Sequence, residues 1–396
     1  MRVAAIVSGS ITDIAVSGRV IPILQNLSKL GNTITLYSPE CYDAEVKLAL
    51  RTYGKPLYRN VDNYSRTIYY STARIIFNSI YSSIDLFLKL VKSNDDLIYV
   101  FKAKPNNAIV PILLKTFLRK KILVDIDDNE NEYTKSVKFN QVNIEGSSLG
   151  AVIIRILNSI CISNSNGITV VSKILFRHLP KKYSHKICYL PNSISINDIG
   201  SGSAHEIQKN RIVFPAGLKK RKCLIAYFLP EIITHVMPMV IKEVKTAKLV
   251  IVGEGDFKEE LEKMAKLANV DKSVLFLGWK NRKSLLSIIK NSEVGILPLK
   301  DNNITNIAET PLKLVEYLAC GVGIVATDVG DVKKVLSNCG MVIRGEDYQE
   351  FAKSIITLLK NDKLRTGMAK RAKEKAINDY TWEKNVAKLN EFIKII

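Results

Sequence analysis

The stretch ETPLKLVEYLACGVGIVATDVG, residues 309–330, combines a helix start, one acid on an apolar helix, and a glycine stop that runs straight into a strand. Thr310 suits the cap, Pro311 the first helical position and Gly321 the end. Leu312, Val315, Leu318 and Ala319 supply the apolar face that packs on a sheet. The first amides of such a helix have no intrahelical partner and its dipole adds positive potential, so a phosphate is well placed there. Glu316 lies about 1.5 turns past Pro311, beyond that anion site. A carboxylate suits hydroxyls rather than phosphate, and a ribose diol donates two hydrogen bonds to one carboxylate. The competing reading makes Glu316 a solvated helix residue and Thr-Pro no more than a good cap.

Outward from this segment the same alternation of strand and helix continues. Upstream strands are expected at 211–217, 247–255, 274–279 and 294–299, with helices at 223–243, 256–268 and 281–291 and a strand at 323–330 after the opening helix. The first half repeats the pattern. VAAIVSG (3–9), a helix from about 18 to 30 and NTITLYSP (32–39) make one βαβ unit, and further strands are expected at 97–101, 121–127, 167–172 and 186–192. Apolar strands joined by helices predict parallel sheets with ligands at the carboxyl ends of the strands. A chain of 396 residues is too long for one core and fits two. The reading is α/β, with a first domain over 1–192, a Ser/Gly/Asn-rich linker over 193–210, a second domain over 211–375 and a terminal helix over 376–396.

Composition narrows the function. With 47% hydrophobic residues the chain is folded rather than disordered. The longest apolar candidate for a membrane span, 223–241, is interrupted by Glu231, His235 and two prolines. The amino terminus MRVAAIVSGS begins directly as a strand, so a cytoplasmic location is expected. Six scattered cysteines without CxxC spacing read as reduced, mostly buried thiols, and four histidines without zincin spacing argue against metal hydrolysis. A net charge of +20 points to nucleic acid, an anionic membrane or a phosphorylated substrate. Between Arg51 and Lys121 thirteen Lys/Arg face four Asp/Glu, interleaved with aromatics, and IIFNSIYSSIDLFLKLV (75–91) carries helix-period apolar residues. Peripheral contact with an anionic membrane, or receipt of a lipid-phosphate acceptor, is one reading of that segment; an ordinary helix packed on its own domain is the other.

Candidate ligand residues gather at strand ends. In GLKKRK (217–222), Gly217, Lys219, Arg221 and Lys222 stand where a crevice opens and can neutralise a diphosphate; a solvated basic loop is the alternative. Gly253 and Glu254 end one strand, and Gly278 with Trp279 ends the next, where a flat side chain can hold a nucleobase. Gly9 and Gly18 permit close backbone approach to a ligand in the first half, although a plain βα turn also explains them. DIDDNENE (125–132) lacks the turn glycine and the twelfth-position carboxylate of a calcium loop, so no metal is expected, a magnesium site being the lesser alternative. Asp127 or Asp128 is instead expected to point into the cleft between the two domains.

Taken in order, SGRV, GITVVSK (167–173), LPNSIS (190–195), FPAGLKKRK (214–222), LVIVGEGDFKEEL (249–261), VLFLGW (274–279), EVGILPL (293–299), PLKLVEYLACG (311–321) and YTWEK (380–384) resemble the family 4 glycosyltransferases, the retaining group 1 enzymes of the GT-B fold. The resemblance covers the second half well and the first loosely. It implies two Rossmann-like doubly wound parallel-sheet domains facing each other across a cleft, the first binding acceptor and the second a nucleotide sugar. It implies that Lys222 contacts the donor diphosphate, that the turn through Thr310, Pro311, Leu312 and Lys313 binds phosphate, that Glu316 holds the donor ribose, and that the helix around Trp382 returns to the first domain. The chain departs from the family at Ala308, where the first acid of a Glu-x7-Glu pair is usual and Glu309 stands one place late, and at Gly217, where an arginine is usual. The implied reaction moves a hexose from a nucleoside diphosphate sugar to a lipid-linked or cell-surface glycan precursor, with no cofactor and no metal. Lys222, Glu309, Asp127 and Asp128 are the catalytic candidates. Two rivals stay open: a sugar-nucleotide epimerase of the same fold, and a non-catalytic nucleotide-sugar-binding partner subunit. Nucleic-acid binding is set aside, because it needs base-stacking aromatics on an exposed sheet and these strands read as buried.

Overall fold

The computed structural model describes residues 1–7, 16–38, 60–63, 83–102, 105–127, 148–200, 207–302 and 311–396. The chain forms two units, Met1–Pro191 with Trp382–Ile396, and Asn192–Thr381.

In the first unit seven strands form one parallel sheet: β1 (Arg2–Val7), β2 (Thr33–Ser38), β3 (Asn60–Asn63), β4 (Leu97–Phe101), β5 (Lys121–Ile126), β6 (Gly167–Val170) and β7 (Ile187–Tyr189), in the order β3-β2-β1-β4-β5-β6-β7. Both faces of the central strands are covered, which is why β1 and β4 read as apolar runs rather than alternating ones. Val3, Ala5 and Val7 of β1 face one apolar cluster, which contains helix Ile21–Lys29 and the terminal helix Trp382–Ile395. Ala4 and Ile6 face a second, built with residues 83–92 and helices Pro105–Leu118 and Ser148–Asn164. Trp382 is fully buried in the first cluster, and Asn32 Nδ2 donates to Asn390 Oδ1 at 2.8 Å. The return to this unit starts at Trp382, later than the expected 376, because helix Asp362–Asp379 continues unbroken in the second unit.

Six parallel strands make the sheet of the second unit: β8 (Arg211–Pro215), β9 (Lys248–Val252), β10 (Val274–Phe276), β11 (Val294–Leu297), β12 (Gly323–Thr327) and β13 (Met341–Ile343), in the order β10-β9-β8-β11-β12-β13. Counted within the unit this is 3-2-1-4-5-6, the dinucleotide-binding order, and its direction reverses between β8 and β11. The expected single helix 223–243 is four pieces, Lys220–Ala226, Leu229–Glu231, a π-turn Ile232–Val236 and Met237–Glu243. The break falls at residues 227–228, where Pro230 suits the first turn of a new helix; from Leu229 to Glu243 the backbone stays helical, and Pro238, with no N–H to give, follows directly on the π-turn. The stretch expected as a linker also differs. Ile194 bridges Thr381, Ile196–Gly200 is helical, and Gln208 N donates to Asn291 O at 2.9 Å, so these residues belong to the second unit. The described residues of this stretch are engaged in folded contacts, as Asp198 is with Arg282, which an absence of apolar periodicity does not reveal.

Candidate functional site

The reversal point puts the segments after β8 and β11 at the place where an open parallel sheet receives ligands. After β8 the chain runs out through Ala216 and Gly217 and is laced to the segment after β9. Ala216 N donates to Val252 O (3.0 Å), Leu218 N to Glu254 O (2.9 Å) and Phe257 N to Leu218 O (3.0 Å), while Lys220 N donates to Asp256 Oδ1 (2.7 Å). Gly253 sits at φ +146°, and an ideal Cβ there would stand 1.9 Å from Ala216 O. Gly253 thus makes a close approach to the protein's own backbone. Gly253→Ala should cost roughly 2–3 kcal/mol from strain and overpacking, read as a lower urea midpoint. Gly278, at φ +68°, accepts from Gly253 N at 3.0 Å and leaves room for Glu254, whose Oε1 lies 2.8 Å from where a Cβ would be. Three successive strand ends are thus clasped together, with Gly217, Lys219, Arg221, Glu254 and Trp279 exposed on them. Trp279 is 54% exposed, so its indole face is open to a flat partner. Lys222 lies in the first turn of helix Lys220–Ala226.

Helix Leu312–Cys320 follows β11. Pro311 occupies its cap rather than its first helical position, and its carbonyl accepts from Leu314 N at 2.9 Å. Gly321, at φ +65°, ends the helix as expected, donating to Tyr317 O and Leu318 O. Glu316 is buried, which removes the solvated-residue reading. Its Oε1 accepts from Arg282 Nη1 at 2.9 Å, and Arg282 Nε donates to Asp198 Oδ2 at 2.9 Å. Arg282 is aimed by its own helix start: Asn281 caps Arg282–Lys290, accepting from Ser284 N at 2.9 Å. Since Arg282 is three residues beyond Trp279, it joins the clasped strand ends to Glu316. Burial, followed by the Glu316 charge, pushes the neighbouring Cys320 thiol up to about 12, so it stays protonated and unreactive at neutral pH.

Lys313 is turned toward β8. Its ammonium stands 4.4 Å from the Phe214 ring centre and 4.2 Å from that of Tyr227, and donates to Tyr227 Oη at 3.0 Å. Cation–π attraction and a hydrogen bond thus hold the helix start against the strand that leads to Gly217. Leu312 opens the helix beside it. Gly9, Asp128, Glu309 and Thr310 lie outside the described residues, as does the side chain of Lys222.

The first unit holds the other two predicted positions. Gly18 is buried in the turn Val16–Val20 next to Arg19, and Asp127 is buried with its Oδ2 3.2 Å from Lys102 Nζ. Beneath them is a network that sequence reasoning missed. Arg19 Nε and Nη2 donate to Asp125 at 2.9 and 2.8 Å, Thr169 Oγ1 donates to the same carboxylate at 2.5 Å, and Tyr99 shares a 3.0 Å bond with Thr169. Burial works against the Arg19 cation, yet the Asp125 charge and hydrogen bonds outweigh it and hold the guanidinium above its ordinary value. Arg282 and Asp198 were missed too. The available signals were an asparagine cap placing Arg282 at a strand's carboxyl side, and one charged residue in the mostly apolar run from Ile14 to Leu24.

Residues 229–375 match the family profile described as Glycosyl transferases group 1. Among curated proteins, the chain is similar to a GDP-mannose-dependent monoacylated alpha-(1-6)-phosphatidylinositol monomannoside mannosyltransferase of Corynebacterium glutamicum, 26% identical over 37% of this chain and 39% of that protein. It is also similar to an N-acetylgalactosamine-N,N'-diacetylbacillosaminyl-diphospho-undecaprenol 4-alpha-N-acetylgalactosaminyltransferase of Campylobacter jejuni, 29% identical over 33% of this chain and 34% of that protein. The match therefore spans well under half the length of either relative. Among solved structures, sucrose-phosphate synthase of Thermosynechococcus elongatus superposes with a TM-score of 0.71 at 13% identity, covering 100% of this chain and 99% of that one. Anabaena HepE in complex with UDP-glucose superposes with a TM-score of 0.69 at 14% identity, covering 100% of both chains. The fold is GT-B, with two Rossmann-like units.

Proposed function

We propose, from the match of residues 229–375 to the Glycosyl transferases group 1 profile, that the protein transfers a sugar from a nucleoside diphosphate sugar to a lipid-linked or cell-surface glycan precursor, with retention and without a metal. The observation that carries this reading is the buried Glu316 carboxylate on helix Leu312–Cys320, joined through Arg282 to the strand ends that bear Gly217, Glu254 and Trp279. A carboxylate in that position accepts from the ribose diol, the Trp279 face takes the base, and the diphosphate lies against the start of helix Leu312–Cys320 and the cations from Lys219 to Lys222. Negative charge grows on the diphosphate as the anomeric bond breaks, and these fixed positive groups stabilise it. In the retaining mechanism the leaving phosphate takes the acceptor's proton, so no protein base is essential; Asp127, Asp128 and Glu309 are the candidates should one act. The two curated relatives named above carry lipid-linked acceptors in their names, which favours that acceptor class here. Peripheral contact with an anionic membrane belongs to the same reading. Among the described residues no helix is long and apolar enough to cross a membrane.

The test is incubation with a panel of labelled nucleotide sugars and a membrane lipid extract. Transfer of label into the lipid fraction from one donor is the expected result. Conversion of free nucleotide sugar without acceptor would replace the proposal with an epimerase, and donor binding with no turnover on any glycan would replace it with a partner subunit.

A further inference from the structure

We infer that Glu254 selects guanine, so that the donor is a guanosine diphosphate sugar. The inference rests on the nucleotide reading above and deepens it, since that reading leaves the base open. Glu254 follows β9 and is held on both sides: its carbonyl accepts from Leu218 N at 2.9 Å, and its neighbour Gly253 N donates to Gly278 O at 3.0 Å. Its side chain lies against Gly278, with Oε1 2.8 Å from the place a Cβ would occupy there. The residue after Gly278 is Trp279, whose indole is open to a flat partner. Among the described residues the Glu254 carboxylate has no hydrogen-bond or ion-pair partner, although Lys219, Arg221 and Lys280 are exposed on the same strand ends. In a chain of net charge +20, an acid left unpaired beside a base-stacking face is available to a ligand.

Position decides which part of a nucleotide this acid meets. In the order β10-β9-β8-β11 the groups assigned to the diphosphate follow β8 and β11, whereas Glu254 and Trp279 follow β9 and β10, one and two strands further out. At about 4.8 Å per strand that is roughly 5 and 10 Å from the end of β8. A carboxylate beside the phosphates would repel them, and the ribose already has Glu316, so Glu254 is left for the base stacked on Trp279. Hydrogen-bond chemistry then decides which base. An ionised carboxylate only accepts, and it pairs best with two donors set side by side. The Watson–Crick edge of guanine presents such a pair, N1–H and the N2 amino group. Uracil presents one N3–H between two carbonyls that repel the carboxylate, and adenine and cytosine each set one amino group beside a ring-nitrogen acceptor. Guanine alone of the four satisfies both oxygens.

Binding of guanosine, inosine, uridine and adenosine diphosphates to the full chain is to be measured by titration calorimetry. The guanosine compound should bind about 30-fold tighter than the uridine and adenosine compounds, and about tenfold tighter than inosine diphosphate, which lacks only the N2 amino group. Glu254→Gln sets an amide donor against a guanine donor and should weaken the guanosine compound about tenfold, with uridine and adenosine diphosphates changed by less than about twofold. Gly278→Ala, whose methyl displaces the Glu254 carboxylate, should lower the guanosine preference in the same direction. If Glu254 only supports the loop, Glu254→Gln weakens all four nucleotides together and lowers the melting temperature, and the inference is overturned. Equal wild-type affinities, or a preference for uridine diphosphate, also overturn it while leaving the sugar-transfer reading in place. Binding of none of the four removes both. Calorimetry needs no acceptor, so guanosine-selective binding without transfer to any glycan sinks the transfer reading and leaves the base assignment standing.

Discussion

Glu316→Ala should lower kcat/KM for the nucleotide-sugar donor by about 10²- to 10⁴-fold while the fold survives. The magnitude follows from the acceptor geometry: charge-assisted hydrogen bonds contribute about 1.5–3 kcal/mol each, two from a ribose diol make about 3–6, and each 1.4 kcal/mol is tenfold. The structure supplies a competing explanation that the experiment must separate. Glu316 accepts from Arg282, whose side chain is only 14% exposed, so removing the acid also takes one of two carboxylates from a largely buried cation that still pairs with Asp198, and costs about 1–3 kcal/mol of stability. A donor lacking both ribose hydroxyls resolves the two. If Glu316 reads the diol, the deoxy donor is about as poor with wild type as the natural donor is with Glu316→Ala, and combining the two changes adds little. If Glu316 serves only Arg282, the deoxy donor remains nearly as good as the natural one, Arg282→Met matches Glu316→Ala in activity and melting temperature, and the ribose assignment fails.

What the amino-acid order could and could not reveal follows from the range of each interaction. β4 was legible to the residue, because LIYVF is a wholly buried run bounded by Asp96 and Lys102. The edge strands β3 and β13 were not: NVDN is polar and MVI is three residues long, too little to show a period. Glu316 stood out as a lone acid on an apolar helix face, a local signal. Its partner Arg282 is 34 positions away and Asp198 another 84, and pairing across such separations leaves no periodic trace. Gly253 shows a third limit. Glycine in a strand-end turn signals close backbone approach, yet whether a ligand or the protein's own Ala216 makes that approach depends on the loop after β8, which the local sequence does not describe. The linker reading failed for a related reason, since a segment can lose apolar periodicity and still be bound into a unit through its backbone.

Breaking the Arg19–Asp125 pair destabilises the first unit by about 3–5 kcal/mol, the largest stability effect expected in this chain. Both side chains are essentially inaccessible, at 2% and 1%, so Arg19→Met leaves a buried carboxylate with Thr169 as its remaining hydrogen-bond donor from this network. Against a total stability of about 5–15 kcal/mol for a domain, that loss brings the unit close to unfolding. The double replacement Arg19→Met with Asp125→Leu removes both charges at once and should recover most of the loss, because the pair's attraction largely offsets its own desolvation. The protein carries a convenient reporter, since Trp382 is buried in the first unit and the second tryptophan, Trp279, is exposed in the second. In a Trp279→Phe background, urea-induced fluorescence change follows the first unit alone. The single variant should unfold at much lower urea and the double variant near the parent. Since the pair is shielded from solvent, salt should shift neither midpoint by way of this interaction. Equal loss in the single and double variants would mean that packing around Arg19, and not its charge, holds the carboxyl end of β5. The buried network would then have no bearing on how Asp127 is held two residues further along.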